Sequence, residues 1–159
     1  MVQAGGNTGL AQARLLTLAV PAALLAGAYV SQYGFGLYPC EMCWWQRYAH
    51  FAALPFALLA YARKDLRWPV LLAALAVLAS GLIGGFHAGV EYKWWEGFTS
   101  CASLVAGGGD DPLAAIMAAP TIRCDEAQWT LLGISLAGFN FLISTGGALL
   151  ALALLRRPA

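Results

Sequence analysis

Four apolar stretches with almost no charge dominate this sequence. Residues 15–30, 51–62 and 129–155 hold no Asp, Glu, Lys or Arg, and residues 70–90 hold no ionisable group except His87. A helix that crosses the hydrocarbon core of a bilayer needs about 20 mainly apolar residues. The stretches therefore predict transmembrane helices at about 15–33, 43–62, 69–90 and 129–155. The second has the weakest hydropathy, because Gln46, Arg47 and His50 fall in its first turns. Only 11% of the 159 residues are charged and 60% are hydrophobic, whereas a soluble domain carries about 25% charged residues. The mean hydropathy of +0.67 agrees. The expected fold is a single all-α membrane domain over residues 1–159, a four-helix bundle with two outer loops. A net charge of +1 gives no footprint for nucleic acid.

Three connections join the stretches. Residues 31–42 are short and end in a CxxC, residues 63–68 are basic, and residues 91–128 are long. The long connection contains AGGGDDP, where Asp111 is a candidate N-cap and Pro112 a first helical residue. PLAAIMAA then predicts a short surface helix closed by Pro120. At the N-terminus, Arg14, an apolar run and Ala26-Gly27-Ala28 resemble a signal peptide. The run is long for a signal core, so an uncleaved helix is the preferred reading.

Charge distribution predicts orientation. Arg14, Arg63, Lys64, Arg67, Arg156 and Arg157 fall at the N-terminus, the second connection and the C-terminus, opposed only by Asp65. Four crossings put all of these on one face, and Lys and Arg accumulate on the cytoplasmic side. Both termini are then cytoplasmic. Cys40, Cys43, Cys101 and Cys124 all fall on the opposite, outer side. Thiols there are kept oxidised.

Four cysteines allow three pairings, of which the most local is Cys40–Cys43 with Cys101–Cys124. Zinc is the rival for a CxxC. However, the second pair is separated by 22 residues and neither loop offers a well-spaced histidine, so no metal is expected. Two purely structural disulfides are the plain alternative. It suits Cys101–Cys124 better than Cys40–Cys43, because so small a ring removes little unfolded-state entropy. Redox chemistry explains the CxxC better. A helix beginning near Cys40 places Cys43 among unpaired N–H groups that favour the thiolate. Arg47 lies four residues on, on the same face. An arginine at that depth needs an anionic partner or a route to the headgroups. Trp44 and Trp45 fit an interfacial aromatic belt. A dithiol beside a cation at the bilayer surface suits a lipid-soluble two-electron acceptor, of which quinone is the obvious example.

PCEMCWWQR resembles the first outer loop of the disulfide bond formation protein B (DsbB) family. FHAGVEYKWW, RCDEAQW and the second cysteine pair in a long outer loop are similar too, and the resemblance covers roughly residues 15–155. It implies a membrane protein-disulfide:quinone oxidoreductase that reoxidises a periplasmic thioredoxin-fold thiol oxidase, DsbA or a relative. It further implies that Cys101 forms the mixed disulfide with that partner and Cys124 completes the outer pair. Cys40 then exchanges with Cys124, and Cys43 meets ubiquinone or menaquinone beside Arg47. Glu41 departs from this pattern by placing a negative charge between the cysteines, which should raise the thiolate pKa.

The remaining polar residues have weaker assignments. His87 and Glu91, four apart, can form a proton path to the quinone site or an interfacial packing pair. His50 is a lesser candidate one turn below Arg47. Gly81 and Gly85 are spaced for close helix packing, and Asn140 for a hydrogen bond between helices. A non-catalytic membrane assembly protein with two structural disulfides is the alternative function. A vitamin K epoxide reductase type enzyme usually has its CxxC before the last helix, not before the second. A transporter would need more charge at mid-membrane depth.

Overall fold

A computed structural model describes residues 4–97, 102–103 and 121–156. They form four long helices: α1 (Ala4–Phe35), α2 (Glu41–Ala62), α3 (Trp68–Glu91) and α4 (Leu136–Leu155). Between α3 and α4, β1 (Ala102–Ser103) pairs antiparallel with β2 (Thr121–Ile122), and β3 (Thr130–Leu131) with β4 (Ile134–Ser135). Cys101 and the surface helix expected at 112–119 lie outside the described residues.

Three helices are long and apolar enough to cross a membrane: Thr8–Phe35 within α1, then α3 and α4. The expected start of the last helix at 129 needs correction, because α4 begins at Leu136. The cause is a two-residue hairpin at Leu132 and Gly133, both with positive φ (52° and 78°). That is the pattern of a primed turn, and its twist suits paired strands rather than a helix. Ser135 then caps α4, its Oγ accepting from Gly138 N at 3.1 Å. The 20 residues that remain helical still suffice for a crossing.

Helix α2 is shorter on hydropathy for a simple reason. Its polar residues turn inward: Gln46 is 7% exposed, Arg47 6% and His50 3%. Helix α3 lies between α2 and α4, and α1 closes the bundle against α4 and α2. Small residues fill the interior, with Ala13, Ala60, Ala74 and Ala151 clustered at one end and Ala53, Val77 and Ala148 midway. Large side chains such as Leu58, Leu82, Leu142 and Leu149 point outward. Small inside and large outside is the arrangement expected where lipid, not water, surrounds the helices. At the end away from the cysteines, the buried Arg14 donates to Lys64 O at 2.5 Å. This contact joins the start of α1 to the basic α2–α3 turn.

The closest approach is between α3 and α4. A Cβ on Gly84 would sit 2.9 Å from Asn140 Nδ2 and 3.0 Å from Ala137 O, and one on Gly81 would meet Thr145 at 2.6 Å. Gly85 instead faces the Phe141 ring at 2.8 Å, so three glycines, not two, make the seam. Gly84→Ala should destabilise the purified protein by about 1–3 kcal/mol through overpacking. Gly146 has nothing within 4 Å of such a Cβ, so Gly146→Ala should be neutral or gain up to about 1 kcal/mol of helix propensity. Unfolding in detergent measures both. Equal stability of the two variants would contradict the close seam.

Candidate functional site

The CxxC takes its geometry from the start of a helix. Cys40 is the N-cap of α2, with extended backbone (φ −77°, ψ 178°), and its Sγ accepts from Cys43 N at 3.3 Å. Cys43 stands at the third helical position, so the sulfur plays the part a serine oxygen plays in other caps. That spacing brings the two sulfurs to 2.9 Å. A disulfide bond is about 2.05 Å, so a small movement would join the pair.

Cys124 arrives from the other loop. It packs with Cys40, Met42, Val90 and Ile122 in one buried cluster. The Cys40 thiol is held far above its usual range by hydrogen bonding with Cys124, then with Cys43, and by burial. Cys40 thus lies between the two other described cysteines. Glu41 is solvent-exposed at the helix start, where water and ions weaken the effect expected from its charge.

The end of α3 holds Cys124 in place. Lys93 N bonds Val90 O at 3.1 Å and Trp94 N bonds Gly89 O at 2.8 Å, with Lys93 left-handed at φ 60°. These are the bonds of a Schellman stop, with lysine where glycine is usual. The stop sends the Lys93 ammonium to Asp125, 2.7 Å away. The Asp125 carboxyl is held well below the usual carboxylate range by Arg123 and then Lys93. The segment carrying Cys124 is thereby fastened to α3. Trp95 folds back over Gly89, where a Cβ would be 2.0 Å from its ring, and donates to Phe86 O at 3.0 Å. A groove of about 690 Å³ opens beside Cys124, lined by Lys93, Trp94, Trp95 and Arg123.

Arg47 is buried, and its hydrogen bonds go to α1 rather than to Cys43. It donates to Gln32 Oε1 at 2.6 Å and to Ala28 O at 3.2 Å, both on α1. Its guanidinium lies over the rings of Tyr29 and Trp44 at 5.0 and 5.1 Å. Trp44 is therefore more than a belt residue, and Trp45 packs against the cysteine cluster. Arg47 nonetheless shares one cavity of about 230 Å³ with Cys40, Cys43, His50 and His87. Ala23, Leu24, Ala28 and Phe139 give it apolar walls.

His87 comes to the cysteines from α3. Its Nε2 is 3.6 Å from Cys40 Sγ and 3.7 Å from Glu91 Oε1, and its Nδ1 is 3.0 Å from Gln46 Nε2. The donor atoms of Cys40, Cys43 and His87 lie within 4.8 Å of one another. Loop spacing had offered no such histidine, because the contact spans 47 positions. Glu91 accepts from Ser135 Oγ, so it joins the cap of α4 to the site. Deeper in, His50 Nε2 meets Ser80 Oγ at 2.9 Å and Asn140 Oδ1 at 3.0 Å. Asn140 thus makes the hydrogen bonds between helices that its place in an apolar run implied. Gln32, Gln46, Ser80 and Tyr29 were not assigned to the site from sequence. Their available signal was polarity within apolar runs, with Cys43, Gln46, Arg47 and His50 along one helical face.

Comparison with known proteins identifies the family. The family model for disulfide bond formation protein DsbB matches residues 11–154. The chain is 36% identical to a disulfide bond formation protein B of Verminephrobacter eiseniae (strain EF01-2), over 90% of this chain and 84% of the relative. It is 34% identical to one of Acidovorax sp. (strain JS42), over 90% and 85%. An uncharacterized protein of Rickettsia prowazekii (strain Madrid E), RP370, is 24% identical over 82% of this chain and 77% of its own length. No solved structure matches the chain. With a family model covering nearly its whole length and relatives above 30% identity, the chain belongs to the disulfide bond formation protein DsbB family.

Proposed function

We propose that this disulfide oxidoreductase reoxidises a DsbA-like periplasmic thiol oxidase and passes the electrons to membrane quinone. The observation that carries the reading is the position of Cys40. It is 2.9 Å from Cys43 and hydrogen-bonded with Cys124, while Cys43 and Arg47 share an apolar-walled cavity.

The relay runs in four thiol–disulfide exchanges and a final transfer to quinone. The partner's dithiol reduces the Cys101–Cys124 disulfide, with Cys101 forming the mixed disulfide and the partner leaving oxidised. The Cys124 thiolate then attacks Cys40 of the Cys40–Cys43 disulfide and Cys43 leaves as thiolate. Cys101 resolves the Cys40–Cys124 bond, which restores the outer disulfide and leaves Cys40 and Cys43 reduced. Each step is a thiolate displacing a thiolate. Quinone accepts two electrons and two protons from the inner pair, and Cys40–Cys43 is oxidised again. In this scheme the unpaired N–H groups at the start of α2 favour Cys43 as thiolate. Arg47 supplies positive charge where an acceptor oxygen gains electron density. Gln32 and Tyr29 hold that guanidinium in place. The groove with exposed Trp94 beside Cys124 is the approach for the partner.

In this reading α2 is the remaining crossing, its polar face kept from lipid by α1 and α3. The cysteine end is periplasmic and both termini cytoplasmic, which the joining of Arg14 to the basic turn supports. After reduction in intact cells, a membrane-impermeant thiol reagent should label Cys101 and the half-buried Cys43. Labelling only after the membrane is breached would reverse the orientation.

A Cys101→Ala, Cys124→Ala double variant should still carry electrons from a small dithiol to quinone while losing turnover with the protein partner. Loss of both activities in a folded variant would refute the two-stage relay.

Arg47→Ala should lower kcat/KM for quinone about tenfold, or about 1.4 kcal/mol. That is less than the roughly 2.7–4 kcal/mol of a fully enclosed donor. Arg47→Lys should recover part, because it keeps the charge but loses the fork. Wild-type values in the alanine variant would place the acceptor elsewhere.

A further inference from the structure

We infer that Gln46, itself oriented by Asn140, fixes His87 as the neutral Nε2–H tautomer, so that the ring donates toward Cys40 Sγ and offers no lone pair there. The argument needs only the rule that a backbone carbonyl accepts and never donates. Met42 O lies 3.1 Å from the Gln46 amide nitrogen, which identifies that atom as nitrogen. Ser80 O lies 3.1 Å from Asn140 Nδ2 and identifies it in the same way. Asn140 Nδ2 also donates to Gln46 Oε1 at 2.7 Å. Ser144 Oγ donates to Asn140 Oδ1 at 2.8 Å. Both amides are therefore oriented by contacts independent of the histidine.

The second N–H of Gln46 then faces His87 Nδ1 at 3.0 Å. A nitrogen that receives a hydrogen bond has its lone pair there, so the ring proton is on Nε2. A doubly protonated ring would set N–H against N–H in a site where His87 is 2% exposed. From Nε2 the proton faces Cys40 Sγ at 3.6 Å and Glu91 Oε1 at 3.7 Å.

The same geometry decides against a metal at Cys40, Cys43 and His87, despite their closeness. A metal-bound histidine donates its other ring N–H to a carbonyl or carboxylate. Here the other nitrogen accepts instead, which is the reverse polarity. Gln46 and Asn140 are therefore positioning residues: they act on the sulfurs through His87. That the donated hydrogen bond steadies negative charge on sulfur during exchange rests on the relay proposed above, whereas the tautomer does not.

Nitrogen-15 NMR of the histidine-labelled, reduced, full-length protein in detergent reads the tautomer directly. The sequence has only two histidines, and loss of one signal in His87→Asn assigns them. At neutral pH, His87 should show a protonated Nε2 and a bare Nδ1. Gln46→Glu replaces the donor with an acceptor of the same shape, so the His87 signals should change to protonated Nδ1. Reduced Gln46→Glu protein should then bind Co2+ with a thiolate-to-cobalt absorption band that the reduced wild type lacks. A wild-type His87 protonated on Nδ1 would overturn the proposal, and this measurement needs no core variant to fold. Unchanged His87 signals in folded Gln46→Glu, or a cobalt band in the wild type that His87→Asn removes, would overturn it as well. Enzyme turnover enters none of these readouts, so failure of the relay and failure of the tautomer are separate results.

Discussion

The polar interior depends on one amide. Asn140 on α4 bonds Gln46 on α2 and Ser80 on α3 and receives Ser144 on its own helix. In a bilayer there is no water to satisfy such groups, so each must find a partner inside the protein. Hydrogen bonds between membrane helices average only about 0.6 kcal/mol. The network therefore adds limited stability, and its larger effect is to fix rotation and depth. In the observed register of α2, α3 and α4, Asn140 bonds Gln46 and Ser80 together. That register also brings His87 to the sulfurs and seats Gly84 against the Asn140 amide.

Above this layer the candidate site is made of helix ends. Cys40 caps α2, the Lys93 stop ends α3, and Ser135 caps α4. Each end leaves backbone groups that need partners, and each uses that need to aim a side chain. The α2 cap joins two sulfurs, the α3 stop sends Lys93 to Asp125, and the α4 cap holds Glu91. Tyr92 ties the last two together, with its hydroxyl accepting from Ser135 N at 2.9 Å and donating to Gly133 O at 2.7 Å.

The buried arginine shows how a charge can be kept near lipid. Arg47 has neutral partners, namely an amide oxygen, a backbone carbonyl and two aromatic faces. They engage two of its N–H groups and its flat faces without an opposing charge. A positive charge held this way remains available to an anionic group in the adjoining cavity, which a salt bridge would have cancelled.

The sequence alone determined the class of fold, three helices long and apolar enough to cross a membrane, and the place of the CxxC at a helix start. Those follow from local facts: uncharged runs of sufficient length, and a cysteine spacing that matches an N-cap and the third residue of a helix. The helix from 129 failed locally too, since Leu132 adopts a positive φ that few non-glycine residues take and nothing in its side chain announces. What only the tertiary structure decided were the contacts between distant segments. His87 meets Cys40 across 47 positions, Asn140 meets Gln46 across 94, and Arg47 turns to Gln32 on α1 rather than outward. Hydropathy reads each polar residue only as a cost within its own helix. Which helix receives it depends on rotation about the bundle axis, and that is set by which polar groups can be satisfied together.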